Sequence, residues 1–243
     1  MKLNTFARLV ALATTISAAL QPFTSQIKII AWAGIAFPDQ VRADNDHADP
    51  FAGVTAHFVV PAPQDKNPGR VYAWVGIDGN VFGKSDRVIR TGVDIETLVN
   101  DLTLAISLHS TMDSANAIIT NANGGLTLMQ TFDASKVLHK ATGKTAQFII
   151  ERVETQITDT DTSLTYAPLL NFGTVQFTKC VATTFGYQSV DLSGGLDGSR
   201  KVAVYPLTMY LRDDVYPLGE LAFGKKTGEL TTEIVWRGAG TNG

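Results

Sequence analysis

Short apolar runs separated by turn residues dominate the chain from about residue 27 onward. The runs are rich in β-branched and aromatic residues, and none carries the apolar spacing of an amphipathic helix. This pattern predicts an antiparallel all-β fold. The predicted strands cover residues 27–37, 54–60, 71–77, 87–90, 102–109, 117–120, 126–131, 146–155, 174–181, 202–211 and 230–236.

Turn sequences lie between these runs and supply the positive φ angles that tight hairpins need. They occupy residues 67–69, 78–79, 123–125, 194–198 and 226–228. Ten or more strands without a helix favour two packed sheets. Because neither a repeat nor a linker interrupts the pattern, we expect one β-sandwich domain over residues 20–243.

Composition narrows the classes of partner. The chain has 243 residues, of which 44% are hydrophobic, and this is enough for one substantial core. Its 20 basic and 23 acidic residues leave a net charge of -3, without a basic block or an acidic tail. Charge therefore indicates neither nucleic acid nor an anionic membrane as a partner. Separately, we expect a monomer.

Metal and cofactor motifs are missing from the sequence. The four histidines are scattered, and none has metal-ligand spacing to another histidine or to Cys180. Cys180 is the single cysteine, so no internal disulfide can form, and we expect a buried, unreactive thiol. No cofactor is predicted.

The N-terminus is typical of a secretory signal peptide. Lys2 and Arg8 precede an apolar run over residues 9–20, and Ser17 and Ala19 suit cleavage after residue 19. The run is short for a bilayer-spanning helix. We therefore expect residues 1–19 to be removed and the mature protein to be extracellular; an amphipathic helix of the mature protein is the alternative.

Several segments resemble, in the right order, those of the glutamic peptidase (eqolisin) family. AWVGIDG at 73–79, TGVD at 91–94 and LLNFGTVQFT at 169–178 form a specific combination, and AQFIIER at 146–152 resembles a later strand. Weaker similarities at 32–34, 58–61 and near the C-terminus extend the resemblance from about Trp32 to Trp236. Almost the whole predicted mature chain is covered.

The resemblance implies a concanavalin-A-like sandwich of two antiparallel sheets, with a cleft that hydrolyses peptide bonds at acid pH. A Glu carboxylate acts there as general base on a water, and a Gln amide holds that water and the oxyanion. The Gln stands directly before Thr-Gly-Val-Asp, where this chain has Arg90. The Glu follows Ala in the later strand, where this chain has Gln147.

These substitutions predict an inactive or strongly weakened peptidase. Arg90 can still donate hydrogen bonds, but its charge would be costly to bury without a carboxylate partner such as Asp78 or Asp94. Gln147 cannot accept a proton, and loss of a general base costs about 10²- to 10⁴-fold. Asp78 or Glu151 is the nearest carboxylate that could take over as base, and restoration is expected to need Arg90→Gln together with Gln147→Glu.

A second departure follows Asp94. Compared with the family, roughly thirty residues, several strands with their turns, are missing before the strand predicted at 102–109. Such a loss should remove part of the cleft and expose a sheet edge.

A non-catalytic module that binds peptide or carbohydrate in the remnant cleft is the other functional hypothesis. Trp74 is its expected stacking platform. A structural interpretation stands beside each candidate: Trp74 as a core aromatic, Asp78 as a turn residue before Gly79, and Arg90 and Gln147 as ordinary strand residues.

Overall fold

The computed structural model describes residues 27–29, 31–37, 49–61, 69–78, 88–95, 101–108, 114–121, 125–133, 142–156, 164–166, 169–193, 195–196, 200–202, 204–212 and 217–238. The expected signal peptide and the segment directly after Ile95 lie outside these ranges. Among the described residues, no helix is long and apolar enough to span a membrane.

Every regular element of the described part is a strand. In chain order they are β1 (Ile27–Ile29), β2 (Trp32–Phe37), β3 (Phe51–Val59), β4 (Val71–Asp78), β5 (Val88–Ile95), β6 (Asp101–Leu108), β7 (Ser114–Asn121), β8 (Thr127–Asp133), β9 (Ala146–Arg152), β10 (Glu154–Gln156), β11 (Leu164–Tyr166), β12 (Thr174–Thr184), β13 (Ser189–Asp191), β14 (Gly195–Leu196), β15 (Arg200–Lys201), β16 (Tyr205–Arg212), β17 (Pro217–Lys226) and β18 (Thr232–Trp236).

The main sheet curls so that its two halves face each other. Its strand order is β5-β4-β9-β2-β16-β17-β18-β12-β3-β6-β7-β8, with β1 beside β16 and β13 beside β12. Neighbours along this path pair antiparallel, and β1 joins β16 in parallel. Strands β4 and β5 pack against β3, β6 and β7 of the opposite half. The predicted antiparallel β-sandwich is confirmed.

The main core fills the space between the two halves. The first half contains β5, β4, β9 and β2. Its strands contribute alternate residues to the core, such as Phe37 from β2 and Phe148 from β9. The opposite half contributes Phe58 and Phe177, and the Phe148 and Phe177 rings lie 6.5 Å apart. Because side chains alternate along a strand, the residues between these face the other side of the first half. That second face carries the candidate site.

Several strand predictions need correction. The run predicted at 27–37 forms two strands, β1 and β2, and the run at 146–155 divides at Val153 into β9 and β10. Leu230 lies in a bend and not in the last strand. Strand β17 was not predicted, since it begins with Pro217 and contains two glycines, which are depleted in strands.

One of these glycines is required by a close approach between strands. A Cβ on Gly224 would lie 1.9 Å from the carbonyl oxygen of Gly34 in β2. The sheet curls tightly here, and a side chain would separate the two backbones.

Strand β5 lies at one edge of the sheet, with β4 as its paired neighbour among the described residues. The chain next enters β6, which belongs to the opposite half and pairs with β3 and β7. The crossing therefore occurs where the sequence predicted missing strands and an exposed edge.

Candidate functional site

Three adjacent strands, β5, β4 and β9, present one continuous surface on the face opposite the main core. Their antiparallel registers align side chains in rows that cross the sheet. The rows are Arg90–Gly76–Gln147, Gly92–Trp74–Ile149 and Asp94–Tyr72–Glu151. Strand β2 extends the last row by Trp32, which lies opposite Glu151. We call this surface the cleft face.

Trp74 lies at the centre of the cleft face in a space left by two glycines. A Cβ on Gly92 would lie 2.5 Å from Cβ of Trp74, and a Cβ on Gly76 would lie 2.8 Å from its Cζ3. The indole ring packs edge-on against Trp32, with ring centroids 5.2 Å apart. The glycines of AWVGIDG and TGVD therefore position Trp74.

The carboxylate of Glu151 joins Trp74 to Arg90. Nε1 of Trp74 donates a hydrogen bond of 2.8 Å to Oε2 of Glu151. The Arg90 guanidinium forms an ion pair with the same oxygen. Its Cζ lies 5.4 Å from the Trp74 ring centroid, within cation–π range. Arg90 thus covers the indole and holds the carboxylate at once.

This ion pair is largely removed from water. The side chains of Arg90 and Glu151 are 13% and 6% exposed. A charge pair at this depth interacts more strongly than a surface pair, and removal of one partner leaves the other charge buried and unpaired. The indole N–H and the guanidinium both donate to this carboxylate, and hydrogen bonds to a charged group are stronger than neutral ones.

Gln147 makes different contacts. It is fully buried, and its Nε2 donates to the backbone oxygen of Asp78 at 2.7 Å and to Oγ1 of Thr145 at 2.9 Å. Its Oε1 is buried and has no hydrogen-bond partner among the described residues. Although Gln147 and Glu151 share the cleft face of β9, Arg90 reaches across Gly76 and Trp74 to Glu151.

Asp78 has a structural role in the turn after β4. Its carboxylate accepts hydrogen bonds from the backbone N of Thr142 at 2.6 Å, from Oγ1 of Thr142 at 2.7 Å and from the backbone N of Lys144 at 2.9 Å. Its φ of 65° is the left-handed conformation that the Asp-Gly turn predicted. The side chain fixes the segment that leads into β9.

Asp94 pairs with Arg70 at the edge of the cleft face. Tyr72 lies between Asp94 and Glu151 in the same row and is half-buried. Burial raises the pKa of the Tyr72 phenol above its ordinary value, and the negative charge of Asp94 raises it further, against the opposing effect of Arg70 and Arg90. The phenol is therefore a neutral hydrogen-bond donor.

Two expectations from the sequence are wrong. The partner of Arg90 is Glu151, and neither Asp78 nor Asp94 takes that place, because Asp78 holds a turn and Asp94 holds Arg70. Trp74 is only 1% exposed beneath Arg90, so its ring is not open for a ligand to stack on. Alternation along β9 could have placed Glu151 on the cleft face, but the diagonal contact depends on the long-range register of three strands.

Within the described residues, no group of three or more His, Cys, Asp or Glu side chains is arranged to hold a metal ion. Cys180 is fully buried in the main core, and burial raises its pKa to about 12.

The family follows from comparison with known proteins. The sequence model of the peptidase A4 family matches residues 31–101 and 99–203, which include all the residues of the cleft face. The chain belongs to the peptidase A4 family. No curated protein matches the sequence.

Solved structures of eqolisin peptidases share the fold. SCP-B, a member of the eqolisin family in complex with the tripeptide Ala-Ile-His, has a TM-score of 0.63 at 18% identity, over 86% of this chain and 98% of that one. Scytalido-glutamic peptidase with a peptide-based transition state analogue has a TM-score of 0.62 at 19% identity, with the same coverage.

Proposed function

We propose that this chain is a secreted member of the peptidase A4 family whose peptide-bond hydrolysis is strongly weakened by the ion pair between Arg90 and Glu151. The observation that carries the proposal is the direct contact of the guanidinium with the carboxylate. In the chemistry that family membership suggests, a water molecule must bind between a carboxylate and a neutral donor at position 90, whereas here Arg90 binds the Glu151 carboxylate directly.

Two features of the pair oppose general-base catalysis. Oε2 of Glu151 already accepts from Arg90 and Trp74, and a proton on this carboxylate would weaken both contacts. The guanidinium also occupies the side from which an amide at position 90 would orient water. The expected loss is about 10²- to 10⁴-fold, the usual contribution of a general base.

We further propose that Glu151, rather than Gln147, holds the position of the catalytic carboxylate. Two residues that act on one water must both reach it, and the side chain at position 90 reaches Glu151. Gln147 is committed to the Asp78 carbonyl and to Thr145. On this basis the chain has kept its carboxylate and lost the neutral donor.

Secretion is inferred from the N-terminal sequence. Cleavage of the expected signal peptide after Ala19 would leave Leu20 as the first residue of the exported protein. N-terminal sequencing of protein recovered from the culture medium tests this, and retention of Met1 in such protein would contradict it.

The alternative is a module that binds peptide or carbohydrate without hydrolysis. Trp74 can serve as its contact surface only after Arg90 leaves the ring. Peptide and glycan arrays probed with the native chain and with Arg90→Ala test this alternative, since removal of the cover should then increase binding.

The decisive test of weakened hydrolysis is the Arg90→Gln variant, assayed on a fluorogenic peptide library at acid pH. An amide at position 90 releases Glu151 and supplies a neutral donor, so we expect kcat/KM to rise by about 10²-fold or more. Arg90→Lys keeps the charge and should give no such rise. High activity of the native chain, or equal activity of the Gln and Lys variants, would contradict the proposal.

A further inference from the structure

In the row of the cleft face that contains Glu151, a neutral hydrogen-bond donor lies on each side of the carboxylate. Tyr72 of β4 and Trp32 of β2 are the cross-strand neighbours of Glu151. Neither is a charged group, and both lie on the same face as the carboxylate. The row therefore has the sequence donor, carboxylate, donor across three adjacent strands.

The donor of Trp32 is unsatisfied. Trp32 is 5% exposed, and its Nε1 is buried without a hydrogen-bond partner in the part of the chain that the structure describes. A buried indole N–H normally has an acceptor, and its absence marks a place where one is expected. The Trp32 ring packs on Trp74, which directs it to the cleft face.

The phenol O–H of Tyr72 lies among charged groups whose signs balance, which favours a neutral ligand. Four charged groups, Asp94, Arg70, Arg90 and Glu151, act on its phenol, and they balance as two cations and two anions. An anionic ligand would meet Glu151 and a cationic one would meet Arg90. A carbonyl group accepts a hydrogen bond without adding a charge.

The spacing of the two donors fits an extended peptide. Tyr72 and Trp32 lie two strands apart, which is about 10 Å. An extended chain covers this distance with about three residues, so two of its carbonyl groups can reach the two donors while the bond between them lies above Glu151.

We propose that the Tyr72 hydroxyl and the Trp32 indole N–H donate hydrogen bonds to two carbonyl groups of one peptide that lies across β4, β9 and β2. The proposal rests on the proposed function, because it places the peptide over the same carboxylate. Arg90 lies on Glu151 and on the Trp74 ring in the unliganded chain and moves aside when the peptide binds. Tyr72 and Trp32 are then the residues that position the peptide.

The test is equilibrium binding of an acetylated, amidated peptide selected from the library, measured by isothermal titration calorimetry. The parent is the full chain with Arg90→Gln and Glu151→Gln, which is uncovered and cannot cleave. Tyr72→Phe and Trp32→Phe in this parent should each weaken binding by about three- to tenfold, the usual effect of one neutral hydrogen bond. If the Arg90→Gln variant cleaves no peptide of the library, the complete library is screened for binding to the parent.

Matched controls are Tyr187→Phe, which changes an exposed tyrosine of a turn, and Trp236→Phe, which changes a tryptophan packed on the main core. Both should bind as the parent does. Thermal melting shows whether each variant is folded. If Trp32→Phe unfolds, Tyr72→Phe decides the matter, because it removes a single oxygen from a half-buried residue.

Unchanged affinity in Tyr72→Phe or in folded Trp32→Phe would overturn this proposal, as would the absence of saturable binding to the parent. The proposed function fails separately. Cleavage by the Arg90→Gln variant with affinity independent of Tyr72 and Trp32 would leave the weakened peptidase intact, whereas donor-dependent binding without cleavage would leave only the peptide site.

Discussion

Trp74 donates its indole N–H to Glu151 although the two residues are diagonal, not direct, neighbours in the β4–β9 ladder. A long aromatic side chain can reach a diagonal partner, and Gly76 and Gly92 leave the space for this ring. The carboxylate is consequently held from one side by an indole and from the other by Arg90.

The first prediction concerns the hydrogen bond from Trp74. Trp74→Phe keeps an aromatic ring but removes the donor, and should lower the free energy of unfolding by about 1.5 to 3 kcal/mol, the usual value for a bond to a charged group. Urea denaturation measures it. In a Glu151→Gln background the same change should cost less, and equal costs in both backgrounds would show that Trp74 acts by packing alone.

The second prediction concerns the close packing of Gly92 in β5 against Trp74 in β4. Gly92→Ala would place a Cβ 2.1 Å from the carbonyl oxygen of Ala73 and 2.5 Å from Cβ of Trp74, so the two strands must separate. We expect the free energy of unfolding to fall by about 1 to 3 kcal/mol. Gly228→Ala is the control, because its Cβ would make an ordinary 3.6 Å contact with Thr231. Similar melting curves for the two variants would contradict the packing.

The third prediction separates the structural role of Asp78 from a catalytic one. Asp78→Asn tolerates the left-handed backbone but turns one of its two acceptors into a donor, which then faces the donors of Thr142 and Lys144. Stability should fall by about 1 to 3 kcal/mol. In the Arg90→Gln chain, assayed well below its melting temperature, Asp78→Asn should retain most hydrolysis. A loss as large as that from Glu151→Gln would make Asp78 catalytic.

Much of the fold could be predicted because strand signals are local. Alternating residues and turn residues place β3, β4, β7 and β12 close to where they occur. Strand β17 could not be predicted in this way. Its Gly224 is explained only by the approach of Gly34, almost two hundred residues earlier in the chain.

The candidate site was predictable only in part. Sequence motifs indicated Trp74 and Arg90, and Glu151 was expected to lie near them, but Asp78 or Asp94 was suggested as the partner of Arg90. Gln147 and Glu151 share one face of β9 because they are four residues apart, so alternation cannot distinguish them. The choice depends on which way a long side chain on β5 extends across β4.

The fourth prediction concerns Cys180. Burial raises the pKa of its thiol to about 12, so almost no thiolate exists at pH 8 in the folded chain. A thiol-specific dye such as 5,5′-dithiobis(2-nitrobenzoic acid) should therefore label the native protein at least about 10³-fold more slowly than the urea-unfolded protein. The sequence has one cysteine, so the signal reports on this residue alone. Rapid labelling of the native chain would contradict its burial.

The same shift has a consequence for stability. The folded chain binds the thiol proton more tightly than the unfolded chain, whose thiol ionises near pH 8.5. The contribution of Cys180 to stability is present below that pH and is lost as the pH rises toward about 12. Cys180→Ala should reduce this loss, and an unchanged pH profile would contradict the shift.

We propose that the Arg90 guanidinium inactivates the Glu151 carboxylate. Peptide hydrolysis by Arg90→Gln, compared at acid pH with Arg90→Gln/Gln147→Glu and Arg90→Gln/Glu151→Gln, tests it most directly. We expect activity in the first variant and its loss in the third. The second should show no further gain, because a carboxylate at position 147 would face the Asp78 carbonyl in a buried site. Activity that appears only when Gln147→Glu is present, and persists without Glu151, would contradict it.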